Sequence, residues 1–188
     1  MIGAIAAVGS VGFTGWATYV SAQVAQDQLD QSKEENEKEE RQQASRVTFW
    51  AESYYSKDSA QTIHLVNRTP DSVTSILVHV SSVAPDAGWY PLTGFAHGVP
   101  PCSDLVFKMS DQMASSNGLK SGVHFVPGIT QVEGLVFTDA SGVTWIRERD
   151  SLNKARESPQ SAAKRKGSFI IREIEVKRVE PCDEYSSK

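Results

Sequence analysis

The stretch GLVFTDASGVTWIRE, Gly134 to Glu148, decides the class of fold. Two runs rich in β-branched and aromatic residues flank Asp139-Ala-Ser-Gly142, a polar four-residue connection that ends in glycine. Such a connection supplies the left-handed backbone position that a tight hairpin needs. The stretch therefore predicts two antiparallel strands, Gln131 to Thr138 and Val143 to Arg147, and sets the pattern to look for on either side.

Upstream the same grammar repeats. Runs with β propensity are expected at Arg46 to Ser53, Gln61 to Asn67, Val73 to Val83, Trp89 to Leu92, Leu105 to Met109 and Val123 to Val126, with turn residues between them. In the third run Ile76, Val78 and Val80 share one face, and Leu77 and His79 the other. Short strands that are almost never followed by a helical pattern point to residues 46–149 as one antiparallel, immunoglobulin-like sandwich. Trp50, Phe49, Ile63, Leu65, Ile76, Val78, Trp89, Phe107, Phe125, Val136, Phe137 and Trp145 are the expected core. Residues 150–168 read as a flexible linker, polar and poor in aromatics. Residues 169–188 read as an extra edge strand or helix, beginning at Phe169, and a tail.

The other end of the chain differs in kind. No Lys, Arg, Asp or Glu precedes Asp27. About 20 uncharged, mostly apolar residues wound as a helix match the ~30 Å hydrocarbon core of a bilayer, so residues 1–24 are expected to be a transmembrane anchor helix in contact with lipid. Gly3, Gly9, Gly12, Gly15, Ser10, Thr14 and Thr18 dilute the apolar content, and the absence of charge decides the reading. Two alternatives are a secretory signal cleaved near Ala22, which lacks a basic n-region, and a soluble helix packed on a partner. Small residues spaced by three wind around the helix, so self-association through them is weak.

Residues 25–45 contain no Gly or Pro and are rich in Gln, Glu, Lys and Ala, good helix formers. They predict a polar helical stalk that carries the domain roughly 30 Å from the bilayer at ~1.5 Å per residue. Extending the Val20 and Val24 seam by heptads meets Asp27, Gln31, Glu34, Lys38 and Arg41, so a coiled coil is the lesser alternative to a solvated single helix. Lys33, Lys38, Arg41 and Arg46 all lie C-terminal to the span, which by the positive-inside rule places a single-pass protein's domain on the cytoplasmic side of the cell membrane.

Taken together, the uncharged helix followed by DQLDQSKEENEKEERQQASRVTFW, HLVNRTPDSVTSILVHV and GLVFTDASGVTWIRE resembles small membrane-anchored proteins of unassigned function from actinobacterial genomes. That resemblance covers most of residues 10–149. It implies the same architecture and no particular activity.

No chemistry-bearing motif stands out. His64, His79, His97 and His124 are scattered singly, without His-x-His, Cys-x-x-Cys or HExxH spacing, so neither a metal nor a cofactor is expected. Nucleophile elbows and phosphate loops are also absent. Loops on rigid scaffolds tend to carry function, which makes the Gly94 to Asp104 stretch the candidate ligand loop, with His97, Cys102 and Asp104 as its residues. Cys102 and Cys182 are the only thiols, and whether they pair depends on the compartment. Lys164-Arg-Lys166 reads as a solvated charge run. A formal net charge of -4 argues against nucleic-acid binding. The expectation is a membrane-tethered binding or scaffold module for a protein partner, with an enzyme or ligand-binding domain as the alternative.

Overall fold

The computed structural model describes residues 2–52, 61–84, 88–109, 130–155, 168–171, 174–180 and 182. Residues Met1–Gln42 and Gln43–Lys188 form two units.

Helix α1 runs unbroken over Ile2–Ser45. Its side chains from Tyr19 to Glu39 are exposed, as the polar composition requires. No helix among the described residues is long and apolar enough to cross a membrane. The expected span over 1–24 thus falls short in hydropathy, for which the glycines, serine and threonines within it are the physical reason. Helix-forming residues continue to Ser45, where the last turn enters the second unit. Ala44 is buried there in the core, and the Arg147 guanidinium Nη2 donates to the Ser45 carbonyl at 3.1 Å, satisfying one of the helix's orphan acceptors.

Among the described residues ten strands come after the helix, making the protein mainly β. They are β1 Val47–Glu52, β2 Gln61–Asn67, β3 Val73–Ala84, β4 Gly88–Val99, β5 Ser103–Met109, β6 Gln131–Thr138, β7 Thr144–Glu148, β8 Leu152–Lys154, β9 Ser168–Ile170 and β10 Ile174–Arg178. One sheet has the order β1-β2-β5-β10 and the other β8-β7-β6-β3-β4-β9, a β-sandwich-like fold. Among the described residues the pairings are antiparallel except β4 with β9.

Alternation places Ile63, Leu65, Leu105, Phe107 and Met109 of the first sheet in one apolar cluster with Ile76, Val78, Leu135, Phe137 and Trp145 of the second. Strand β3 breaks strict alternation, since Val73 and Ile76, three residues apart, are both buried. A bulge resolves this. Ser75 adopts φ 53° and the register shifts between Thr74 and Leu77, so the pleat is reset by one residue.

The hairpin between β6 and β7 forms as its sequence predicts. Gly142 takes φ +81°, and the Asp139 carboxylate accepts Val143 N–H at 2.9 Å and the Trp145 indole N–H at 2.7 Å. One side chain thereby holds the turn and orients the largest core residue.

Three expectations are corrected. Leu152–Lys154 of the expected linker pairs with β7, with Leu152 buried. The stretch after Phe169 is neither one strand nor a helix: β9 joins the second sheet beside β4, and β10 joins the first beside β5. Gly94 makes the β9 docking possible, because a Cβ there would come 2.7 Å from the Phe169 ring. Trp50, expected in the core, is 40% exposed. The expected strand at Val123 to Val126, with Phe125, lies outside the described residues, as does the side chain of Trp89.

Candidate functional site

The expected ligand loop is mostly strand. Gly94 to Val99 belong to β4 and Ser103 and Asp104 to β5, leaving only a turn at residues 100–102. His97 is exposed on β4 of the second sheet. Cys102 sits in the turn with φ 52° and is joined by a disulfide to Cys182, Cα to Cα 5.3 Å. Asp104 is buried in the first sheet. The three do not gather.

Asp104 instead meets a histidine that sequence spacing gave no reason to choose. Its Oδ2 lies 2.8 Å from His64 Nδ1 across 40 residues of chain, so with Asp104 as carboxylate Nδ1 is the donor. The register explains the meeting: Val66 opposes Asp104 and His64 opposes Val106, which makes the pair diagonal neighbours on one face of β2 and β5. Trp50, directly opposite His64 on β1, stacks on the imidazole with centroids 4.7 Å apart and planes 6° from parallel. His64 Nε2 is 3.4 Å from Glu52 Oε1 yet makes no hydrogen bond; Asp104 Oδ1 is likewise buried without a partner. Among the described residues no serine, threonine or cysteine bonds to Nε2, and the cluster is a buried hydrogen-bonded His–Asp pair. Among the described residues no group of three or more His, Cys, Asp or Glu is placed to hold a metal ion.

Two of the cavities among the described residues lie in the second unit, and neither is lined by His97, Cys102 or Asp104. A small one, about 10 Å³, lies under the helix end, lined by Ala44, Val47, Val73 and Phe137 among others. The larger, about 560 Å³, is a crevice between β1 and the ends of β6 and β7. Thr48 to Ala51 form one wall, Gln131 and Val132 another, and Arg147, Glu148 and Arg149 a third. Gln61, at its inner end, is buried with its Oε1 unpartnered. Crevices of roughly 300–1,000 Å³ are the size in which small ligands and peptide segments are held. Sequence reading missed this site because its walls come from four strands separated by up to about a hundred residues.

Compared with known proteins, the chain matches no family model, no curated protein and no solved structure.

Proposed function

We propose that the chain is a tethered binding module: residues 1–24 hold it at a membrane, and the β-sandwich-like domain presents a surface to a protein partner. The observation that carries this reading is the contrast within one helix. Its first 26 residues bear no charge, Trp16 and Tyr19 are 71% and 67% exposed, and charged residues crowd the segment from Asp27 to Arg41. An uncharged helical segment with exposed aromatics at its far end suits a bilayer and its interface. The resemblance to small membrane-anchored actinobacterial proteins belongs to the same proposal.

Within it, the domain faces an oxidising compartment. The Cys102–Cys182 disulfide favours this side, since such bonds persist outside the cytosol, and it outweighs the lysines and arginines after residue 27. We read the sandwich as immunoglobulin-like. Support comes from strand order: β1-β2-β5 follows the A-B-E arrangement and β7-β6-β3-β4 the G-F-C-C′ arrangement of that architecture, while β10, last in the chain, takes the place beside E that strand D fills there.

The test combines flotation with labelling. The full chain should float with membranes from detergent-free lysate, and a membrane-impermeant maleimide should label it on intact cells only after an impermeant reductant. A chain left in the supernatant at full length overturns the tether; labelling only after lysis overturns the orientation. A soluble chain beginning after Ala22 replaces the tether by secretion.

A further inference from the structure

The four β1 residues that line the crevice are consecutive. Neighbouring strand residues point to opposite faces, so a cavity bounded by Thr48, Phe49, Trp50 and Ala51 alike follows the strand's edge rather than either face. Strand β1 ends its sheet's order and pairs, among the described residues, with β2 alone. Its outer row of N–H and C=O groups, unpaired by any described strand, borders the crevice and is the kind of template that strand addition uses.

The other walls add chemistry to that template. Arg147, whose Nη2 donates to the Ser45 carbonyl at 3.1 Å and leaves its other N–H groups, and Arg149 set two cationic side chains in the lining against the single carboxylate of Glu148, whose Oε2 already accepts from Ser151 Oγ at 2.8 Å. The lining is thus cationic. Gln61 is 3% exposed and lies in step with Ile63 and Leu65 on the inward face of β2. Its unpartnered Oε1 at the crevice end needs a donor, and an amide N–H is the donor a peptide supplies. Phe49 and Val132, partly buried against the core, offer apolar contact between these polar ends.

We propose that this crevice binds an extended peptide segment carrying a carboxylate, which lengthens the first sheet by pairing with the free edge of β1 while its acid meets Arg147 and Arg149. The backbone supplies pairing, Gln61 accepts one N–H, and the guanidinium groups set register by charge-assisted hydrogen bonds. This assigns the tethered binding module its site and so rests on that reading.

Isothermal titration of the full chain in detergent micelles tests it, with acetyl-valyl-threonyl-valyl-aspartate as probe. Saturable binding is expected, weakened about tenfold or more when the aspartate is replaced by asparagine amide, and by a similar factor in Arg149→Gln, an exposed position whose change leaves the core untouched. N-methylation of alternate backbone amides of the probe should abolish binding, since it removes the ladder donors. The proposal is overturned by no saturable heat up to several millimolar probe, by equal binding of acid and amide, or by undiminished binding of the N-methylated peptide. Flotation of the same full chain from detergent-free lysate separates the two readings: a chain that floats but binds nothing loses the crevice and keeps the tether, and the reverse outcome loses the tether alone.

Discussion

Of the three buried polar residues of strand β2, His64 and Asn67, three positions apart, have opposite surroundings. Asn67, fully buried, has every polar atom engaged: Nδ2 donates to the carbonyls of Asp71 at 2.7 Å, Pro100 at 3.0 Å and, more weakly, Val99 at 3.3 Å, while Oδ1 accepts Thr69 N–H at 3.0 Å and Thr69 O–H at 2.7 Å. His64 and Asp104, also buried, make one bond to each other and leave His64 Nε2 and Asp104 Oδ1 without hydrogen bonds. A saturated polar centre stabilises because any alternative arrangement strands several groups at once. A half-satisfied one contributes little net stability, because the cost of its unpaired atoms offsets its single strong contact.

The largest effect is therefore expected at Asn67. The Asn67→Ala change removes the group that joins the β2 end to the Asp71 turn and to the β4–β5 turn, leaving Thr69 N–H and the Val99 and Pro100 carbonyls short of a partner, while the Asp71 carbonyl keeps the Thr69 hydroxyl. With each stranded group costing ~1–3 kcal/mol, the domain should lose about 3–5 kcal/mol in urea unfolding of the full chain. A loss under about 1 kcal/mol would show that water replaces the amide and would erase the contrast with His64.

The second prediction concerns the pair itself. Asp104→Leu alone leaves His64 buried and unbonded and should cost roughly 1–3 kcal/mol; His64→Leu alone strands a carboxylate and should cost at least as much. Replacing both should come closer to neutral than either, since two apolar side chains of similar volume leave nothing unsatisfied. A double-mutant cycle measures this directly, and strictly additive losses would mean that the two residues act independently despite their 2.8 Å separation.

These two centres also show where sequence reading stops. The hairpin at Asp139 to Gly142 was legible because its determinants are local: glycine at the positive-φ position and an aspartate able to bond forward to Val143 and Trp145. Bounds of β2 and β6 were legible for the same reason, with alternation and turn residues adjacent in the chain. The tail was not. Phe169 needs a glycine 75 positions earlier to make room for its ring, and β10 needs the edge of β5, neither of which leaves a mark near residues 169–178. Among the candidate residues, His97, Cys102 and Asp104 were grouped by nearness in sequence, whereas a strand sends neighbours to opposite faces and the turn sends β4 and β5 to different sheets. His64 was legible only as a strand residue, because its partner is set by register. The crevice was beyond reach altogether, being a property of a free strand edge.

The smallest effect belongs to Trp50, and it sharpens the comparison most. A tryptophan left 40% exposed on an edge strand contributes modest burial, and its stacking on His64 is worth about 0.5–1.5 kcal/mol. Trp50→Ala should therefore cost about 1 kcal/mol by itself. Its removal also takes away the lid over the imidazole, so water reaches His64 Nε2 and the unpaired atoms of the pair regain hydrogen bonds. Asp104→Leu should then cost less in the Trp50→Ala background than in the native chain, whereas Asn67→Ala, whose partners Trp50 does not touch, should cost the same in both. An unchanged Asp104 penalty would mean that the stacked ring is not what keeps water from the pair, and the difference between the two polar centres of β2 would have to arise from the sheet alone.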